Sequence, residues 1–373
     1  MRAAQGLPGQ KTDWGSFEMR SFSRTRIVLT TTAVALAALV AACSSPPPPP
    51  PPVVQAPPPP PITLSASLVE RASAFRGYMA RASQVSSTFQ NGEQIQASLK
   101  VGAAYEAKSF MNGAVAYAAV LALQDPTFVA SVREVAANPT QRQEMINNIF
   151  SNPSYAAVFK GSDSAAGLII DQIGGDGLKV YMAGKAVKQA AYDVQKSSWS
   201  KSAVVDRDGR LASTKTLSTT PALAEGADVA VLQQASTGGQ SLGLTPRAAP
   251  APYQPIVIRG LAVAALAALG AAGDNNLASI DALSSDWATA NCLNMAKLNL
   301  YQCLAVSKPH YEDIFCLGQH ILMDTGACVV KGAGATLPPE PPRVLPVKES
   351  VAVKGSSKAK GKAAAKRPVA KKS

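Results

Sequence analysis

Histidine occurs only twice in the 373 residues, at His310 and His320, and aromatic residues make up 6% of the chain. No cysteine lies between Cys43 and Cys292. These shortages exclude much chemistry. A Ser-His-Asp relay would need one of the two histidines, with Asp313 or Asp324 to orient it, and no Gly-x-Ser-x-Gly turn is present. A phosphate-binding loop fails because Gly184-Lys185 is followed by Ala186 instead of Ser or Thr. Tyr311-Glu312-Asp313 supplies adjacent carboxylates, but neighbours in sequence do not face each other on a helix. Acids for glycan cleavage would have to be gathered by the fold from distant positions such as Glu70, Glu106 or Glu134.

The amino-terminal region is informative. A basic stretch, Arg20 to Arg26, precedes 16 apolar and small residues, Ile27 to Ala42, and then Cys43-Ser44-Ser45 and seven prolines. A spanning helix needs about 20 apolar residues, so this run reads as an export signal. Val40-Ala41-Ala42-Cys43 resembles the lipobox of bacterial lipoprotein precursors. The resemblance implies a diacylglyceryl thioether on Cys43, cleavage just before it and acylation of the new amino terminus. It also implies sorting to the outer membrane in a Gram-negative envelope, because Ser44 and not Asp follows the cysteine. Residues 1–18 are polar and precede the basic region, so Met19 is the expected start. Residues 43–62 form a lipidated, proline-rich stalk. Its 16 residues from Pro46 to Pro61 would reach about 50 Å as polyproline II.

The net charge of +12 suggests nucleic acid until it is located. Nine Lys/Arg against one Glu lie in residues 348–373, whereas residues 44–347 hold 22 basic and 21 acidic residues. Lys358, Lys360, Lys362, Lys366, Arg367, Lys371 and Lys372 form a tail that resembles linker-histone tails in composition only. No aromatics interleave, so base stacking is not expected. Outside the cytoplasm such a tail meets anionic envelope polymers and lipid headgroups. Residues 333–373 are expected to be disordered.

Between stalk and tail the chain reads as mainly α, with abundant alanine and little β-branched alternation. Ser67-Leu68-Val69-Glu70 has capping-box spacing. Leu64, Leu68, Phe75, Met79, Ala82 and Phe89 are expected core positions. A long helix is expected from about Glu93 to Gln124, burying Ile95, Leu99, Tyr105, Phe110, Tyr117 and Leu121. Asp125-Pro126, Asn138-Pro139 and Asn152-Pro153 each place a capping side chain before a helix-starting proline, so three short helices should begin there. Gly174-Gly175-Asp176-Gly177 reads as a helix break. Residues 63–202 are expected as a helical domain and 203–254 as a polar linker, with Asp206-Arg207-Asp208-Gly209 as a turn or small hairpin. Residues 255–332 form a second helical segment, in which Ile256 to Ala272 reads as a buried helix.

The last four cysteines are Cys292, Cys303, Cys316 and Cys328. In an exported chain they are expected as two disulfides. A turn at Ser307-Lys308-Pro309 makes a helical hairpin that pairs Cys303 with Cys316 and Cys292 with Cys328, and Gly326 would end its second helix. Pairing within one straight helix would have to bridge about 16–18 Å, beyond disulfide reach. Cys316 with His320 at i, i+4, and His310 nearby, offers a competing zinc set, but its spacing fits no familiar finger. No metal and no cofactor other than the covalent lipid is expected.

The expected function is a lipid-tethered, non-enzymatic envelope component that binds a membrane through its lipid and a partner protein through its body. A cell-wall hydrolase and a binding protein for a small apolar ligand are the alternatives.

Overall fold

The computed structural model describes residues 58–339, which fall within one compact unit. They are mainly helical and contain no strand beyond isolated bridges. In chain order the helices are α1 (Ala66–Ser83), α2 (Gly92–Ala103), α3 (Ala107–Ala122), α4 (Pro126–Ala136), α5 (Pro139–Ser151), α6 (Ser162–Asp193), α7 (Ser198–Lys201), α8 (Arg207–Ser218), α9 (Gly226–Ser236), α10 (Pro255–Ala268), α11 (Leu277–Ser284), α12 (Trp287–Val306), α13 (His310–Cys316) and α14 (Asp324–Gly332). A π-helical stretch, Leu317–Met323, joins α13 to α14 without a break.

Two alanine-rich helices, α3 and α10, pack together at the centre. In α3, 14 of 16 residues are buried, and in α10, 11 of 14. A helix apolar on every side has to be surrounded, and the other helices do this. Small side chains let the pair approach closely: a Cβ on Gly260 would collide with Ala118. The lone charge in α10, Arg259, reaches the rim, donating to the Leu283 carbonyl and facing Asp286 at 3.8 Å. No single helix among the described residues is long and apolar enough to cross a membrane.

The proline-marked starts are where the sequence places them. Asp125 Oδ1 accepts from Phe128 N at 2.8 Å, Asn138 Oδ1 from Thr140 N at 3.0 Å and Asn152 Oδ1 from Ser154 N at 3.0 Å. The third element, Pro153–Val158, winds as a 3-10 helix. The expected core positions on α1, α2 and α3, together with Leu64 and Phe89, are all buried.

Five expectations need correction. The α1 cap is Ser65, whose hydroxyl accepts from Ser67 N, so the helix starts earlier than the Ser67 box implies. The long 93–124 helix is split at Ala104–Glu106, because Glu106 accepts from Lys108 N and Ser109 N and starts a new helix. The glycines at 174–177 lie inside α6, which runs unbroken for 32 residues. They permit contact instead of a break: a Cβ on Gly177 would meet Val329 and Val330 at 3.0 Å, and one on Gly184 would meet Met323 N at 2.6 Å. Gly326 is likewise internal to α14, facing the Tyr181 backbone. Finally, the 203–254 segment is no linker. It carries α8 and α9, starts α8 at an Asp206 cap, and buries Arg210, Thr214, Ser218, Leu232 and Ala235. Its polarity is misleading because Arg210 pairs with the buried Asp313 and the Thr214 hydroxyl donates to the Arg210 carbonyl. The segments on either side of it share one hydrophobic core.

The described end of the proline segment is fastened to the body. Thr63 N donates to Ala267 O at 3.1 Å, Ser65 N to Ala272 O at 2.8 Å, and Arg133 Nη1 to Pro60 O at 3.0 Å. Leu64 is buried beside them. Gly270, at φ +77°, turns the chain after α10, and any Cβ there would strike Pro60.

Candidate functional site

The four late cysteines organise the carboxy-terminal part of the body. Cys292 bonds to Cys328 and Cys303 to Cys316, with Cα–Cα distances of 5.8 and 5.6 Å. Both bonds tie α12 to the continuous α13–π–α14 element, one near the turn and one at the open end. The same element packs along α6 through glycines on both sides, Gly177 and Gly184 against Gly318 and Gly326. The facing pairs are spaced by seven residues on α6 and by eight on its partner. The π turn accommodates the extra residue, since each of its bonds spans one residue more than an α-helical bond.

The histidines do not form a shared site. His310 packs against Gly92 and Trp199, with ring centroids 6.4 Å apart for the aromatic pair. His320 lies against Phe315, and its Nδ1 is 3.3 Å from Asp324 Oδ2. Cys316, the thiolate a zinc set would require, is held in a disulfide. Among the described residues no group of three or more His, Cys, Asp or Glu is arranged to hold a metal ion.

Asp313 is engaged elsewhere. It is fully buried and forms an ion pair with Arg210 of α8, itself 5% exposed. Arg210 also donates to the Leu304 carbonyl, and Ser307 Oγ donates to Asp313 Oδ1 at 2.7 Å. This network locks α8 to the hairpin turn. Beside it, Arg207 donates to the carbonyls of Ala305 and Ser307, both at 2.8 Å, and Val204 N donates to Lys308 O at 2.9 Å.

A second buried cation belongs to no sequence motif. Lys297, 3% exposed, donates to the carbonyls of Tyr105 and Ser218 and lies 3.8 Å from the Tyr105 ring centroid. Burial pulls its ammonium down from 10.5 to about 7, opposed by the nearby Glu106 carboxylate. Burial also works to raise Glu106, but hydrogen bonds from Lys108 N, Ser109 N and the Ser109 hydroxyl outweigh it and hold this carboxyl below its usual range. The Tyr105 hydroxyl is 2.8 Å from Thr325 Oγ1, and burial raises its pKa well above the phenol range. The neutral amine of Lys297 keeps two N–H donors for its two carbonyls, so losing the proton breaks neither bond. Below about pH 7 folded and unfolded states both carry the proton; between 7 and 10.5 only the unfolded state does. Stability should therefore rise over that window, by up to about 1.4 kcal/mol per pH unit. Thermal melts at pH 7 and 9 should show the parent gaining on Lys297→Met, whereas parallel pH profiles would contradict it.

Carboxylates do meet in one cleft. About 440 Å³ in volume, it lies between α1, α6 and α9 and is lined by Asp176, Glu225 and Asp228. Each acid is matched to a cation: Asp228 to Arg76 at 2.7 Å, Glu225 to Arg81 at 2.6 Å and Asp176 to Lys179 at 2.9 Å. Carboxylates neutralised in this way are poorly placed to share a proton for glycan cleavage. The acids singled out for that role are separated: Glu70 is exposed on α1, Glu134 is exposed on α4, and Glu106 is used as a cap. A wider cleft of about 620 Å³ between α2 and α8 has Val205, Arg210 and His310 in its wall.

Cys43, most of the proline stalk and the tail lysines and arginine from Lys358 to Lys372 lie outside the described residues. The chain matches no protein-family model, no curated protein and no solved structure.

Proposed function

We propose that this protein is a lipid-tethered component of a bacterial cell envelope that works as a structural or partner-binding element. The observation that carries the reading is continuity. A lipobox-like Val40-Ala41-Ala42-Cys43 is followed by prolines, and the last of these are hydrogen-bonded and packed onto the helical body at Pro60–Ser65. A proline-rich spacer fastened at its far end would set the height of the body above its membrane. Two disulfides in that body suit an oxidising compartment. Pairing of the cleft carboxylates with cations favours this reading over a wall hydrolase. The basic tail supplies a second, nonspecific contact with anionic envelope material.

Fractionating cells that express Cys43→Ser tests the tether. The parent should sediment with membranes and resist salt extraction, while the variant should lose its lipid and move to the soluble fraction. A variant that stays membrane-bound to the same extent would sink the tethering half of the proposal.

A further inference from the structure

The outward face of α12 has no partner among the described residues and carries no charge. Of its 20 residues only Lys297 is charged, and that side chain is buried on the inner side. On the outer side Trp287 is 80% exposed, Val306 74%, and Met295 and Leu298 44% each. These account for four of the ten large hydrophobic side chains exposed on the described body. Such a face, about 30 Å long, is costly to leave in water and would normally be broken by Lys or Glu. Both disulfides pin the helix from behind at Cys292 and Cys303, so the face is presented rigidly.

Its residues are ordered as a chemical palindrome. Outward from the midpoint between Ala296 and Lys297, Met295 mirrors Leu298 and Asn291 mirrors Gln302. Further out Ala288 mirrors Ala305, and Trp287 mirrors Val306. Trp287 and Ala305 are 18 residues apart, five full turns, and so lie along one edge of the face; Ala288 and Val306 lie along the other. An antiparallel second α12 related by a two-fold axis would place Trp287 over the small Ala305 of the partner subunit and Val306 over the partner subunit's Ala288. Met295 would meet the partner's Leu298. Asn291 would meet the partner's Gln302, amides that both donate and accept.

We infer that the outer face of α12 is a two-fold homodimer interface in which the helix packs antiparallel against its copy. An isologous contact sets each patch against itself, so it favours uncharged, self-complementary residues. Depletion of charge with Trp and Met present is the composition of an interface centre. A lipid surface fits less well, because Asn291 and Gln302, which pair with each other across the two-fold, would be buried there without hydrogen-bond partners. The footprint of one helix face, on the order of 300 Å², is below the roughly 800 Å² per partner of a standard stable complex. The dimer should accordingly be weak in dilute solution and favoured at high local density. Self-association through this face does not depend on how the chain is tethered.

Photo-crosslinking of the full chain in intact cells tests it. With a benzophenone residue at Gln302, the expected product is a covalent dimer whose linked peptide comes from the region around Asn291 of the partner subunit. Leu298→Lys and Met295→Glu should each reduce that product at least fivefold. The double variant should restore it, because the carboxylate introduced in one copy then faces the ammonium introduced in the other. Thermal melting of each variant verifies folding, and the parent adduct decides the matter even if a variant is lost. The inference is overturned by an adduct to lipid or to a different protein, by no adduct, or by single charge variants that crosslink as well as the parent.

Discussion

Asp313→Ala is expected to destabilise the body by about 3–5 kcal/mol, among the largest effects of any single substitution. The reason is what it leaves behind. Arg210 would remain buried with its guanidinium facing an alanine, and the Ser307 hydroxyl would lose its closer acceptor and keep only the Leu304 carbonyl at 3.2 Å. Asp313 has no exposed surface and Arg210 very little, so solvent is poorly placed to compensate. A paired replacement, Arg210→Met with Asp313→Leu, should recover much of the loss, because it removes the charge that would be stranded. The remaining deficit would reflect the Leu304 carbonyl, which accepts from Arg210 in the parent. Urea unfolding followed by circular dichroism reads both values. A single-variant loss below about 1 kcal/mol would mean that water enters the site, and the account of this ion pair would fail.

The second large effect concerns the disulfides. Cys292→Ser with Cys328→Ser opens a loop of 36 residues, and Cys303→Ser with Cys316→Ser one of 13. Loop-closure entropy puts these losses at about 4 and about 3 kcal/mol. The outer bond should therefore matter more, although the inner one lies closer to the buried Arg210–Asp313 pair. Losing the outer bond also frees the ends of α12 and α14 from each other. Denaturant midpoints of the two double variants give the ranking, and a larger loss from the inner pair would show that local packing, not chain entropy, governs the hairpin.

Much of the helical order was legible because capping is local. Asp125, Asn138 and Asn152 each announce a start within three residues, and the side-chain bonds made there need no distant partner. The disulfides were legible for a similar reason, since one turn and helical geometry limit which cysteines can meet. Residues whose meaning depends on a distant neighbour were not. Gly177 looks like part of a helix break until α14 lies against it. The 203–254 stretch looks like a linker because Arg210, Thr214 and Ser218 are polar, yet Arg210 is neutralised by an acid 103 residues away. Lys297 left a trace that could have been read: a single charge in a 20-residue helix that otherwise carries only uncharged side chains. Its partners are the carbonyl of Tyr105, between α2 and α3, and that of Ser218, at the end of α8, which only the fold brings near. The same shortage of charge on α12 is what exposes the palindromic face.

The tether is the central claim, and the amino-terminal peptide of the mature protein tests it most directly. Mass spectrometry of protein purified from membranes should find Cys43 as the first residue, carrying a diacylglyceryl thioether and an N-acyl chain. A mature chain that begins elsewhere, or an unmodified Cys43 within an intact precursor sequence, would contradict it.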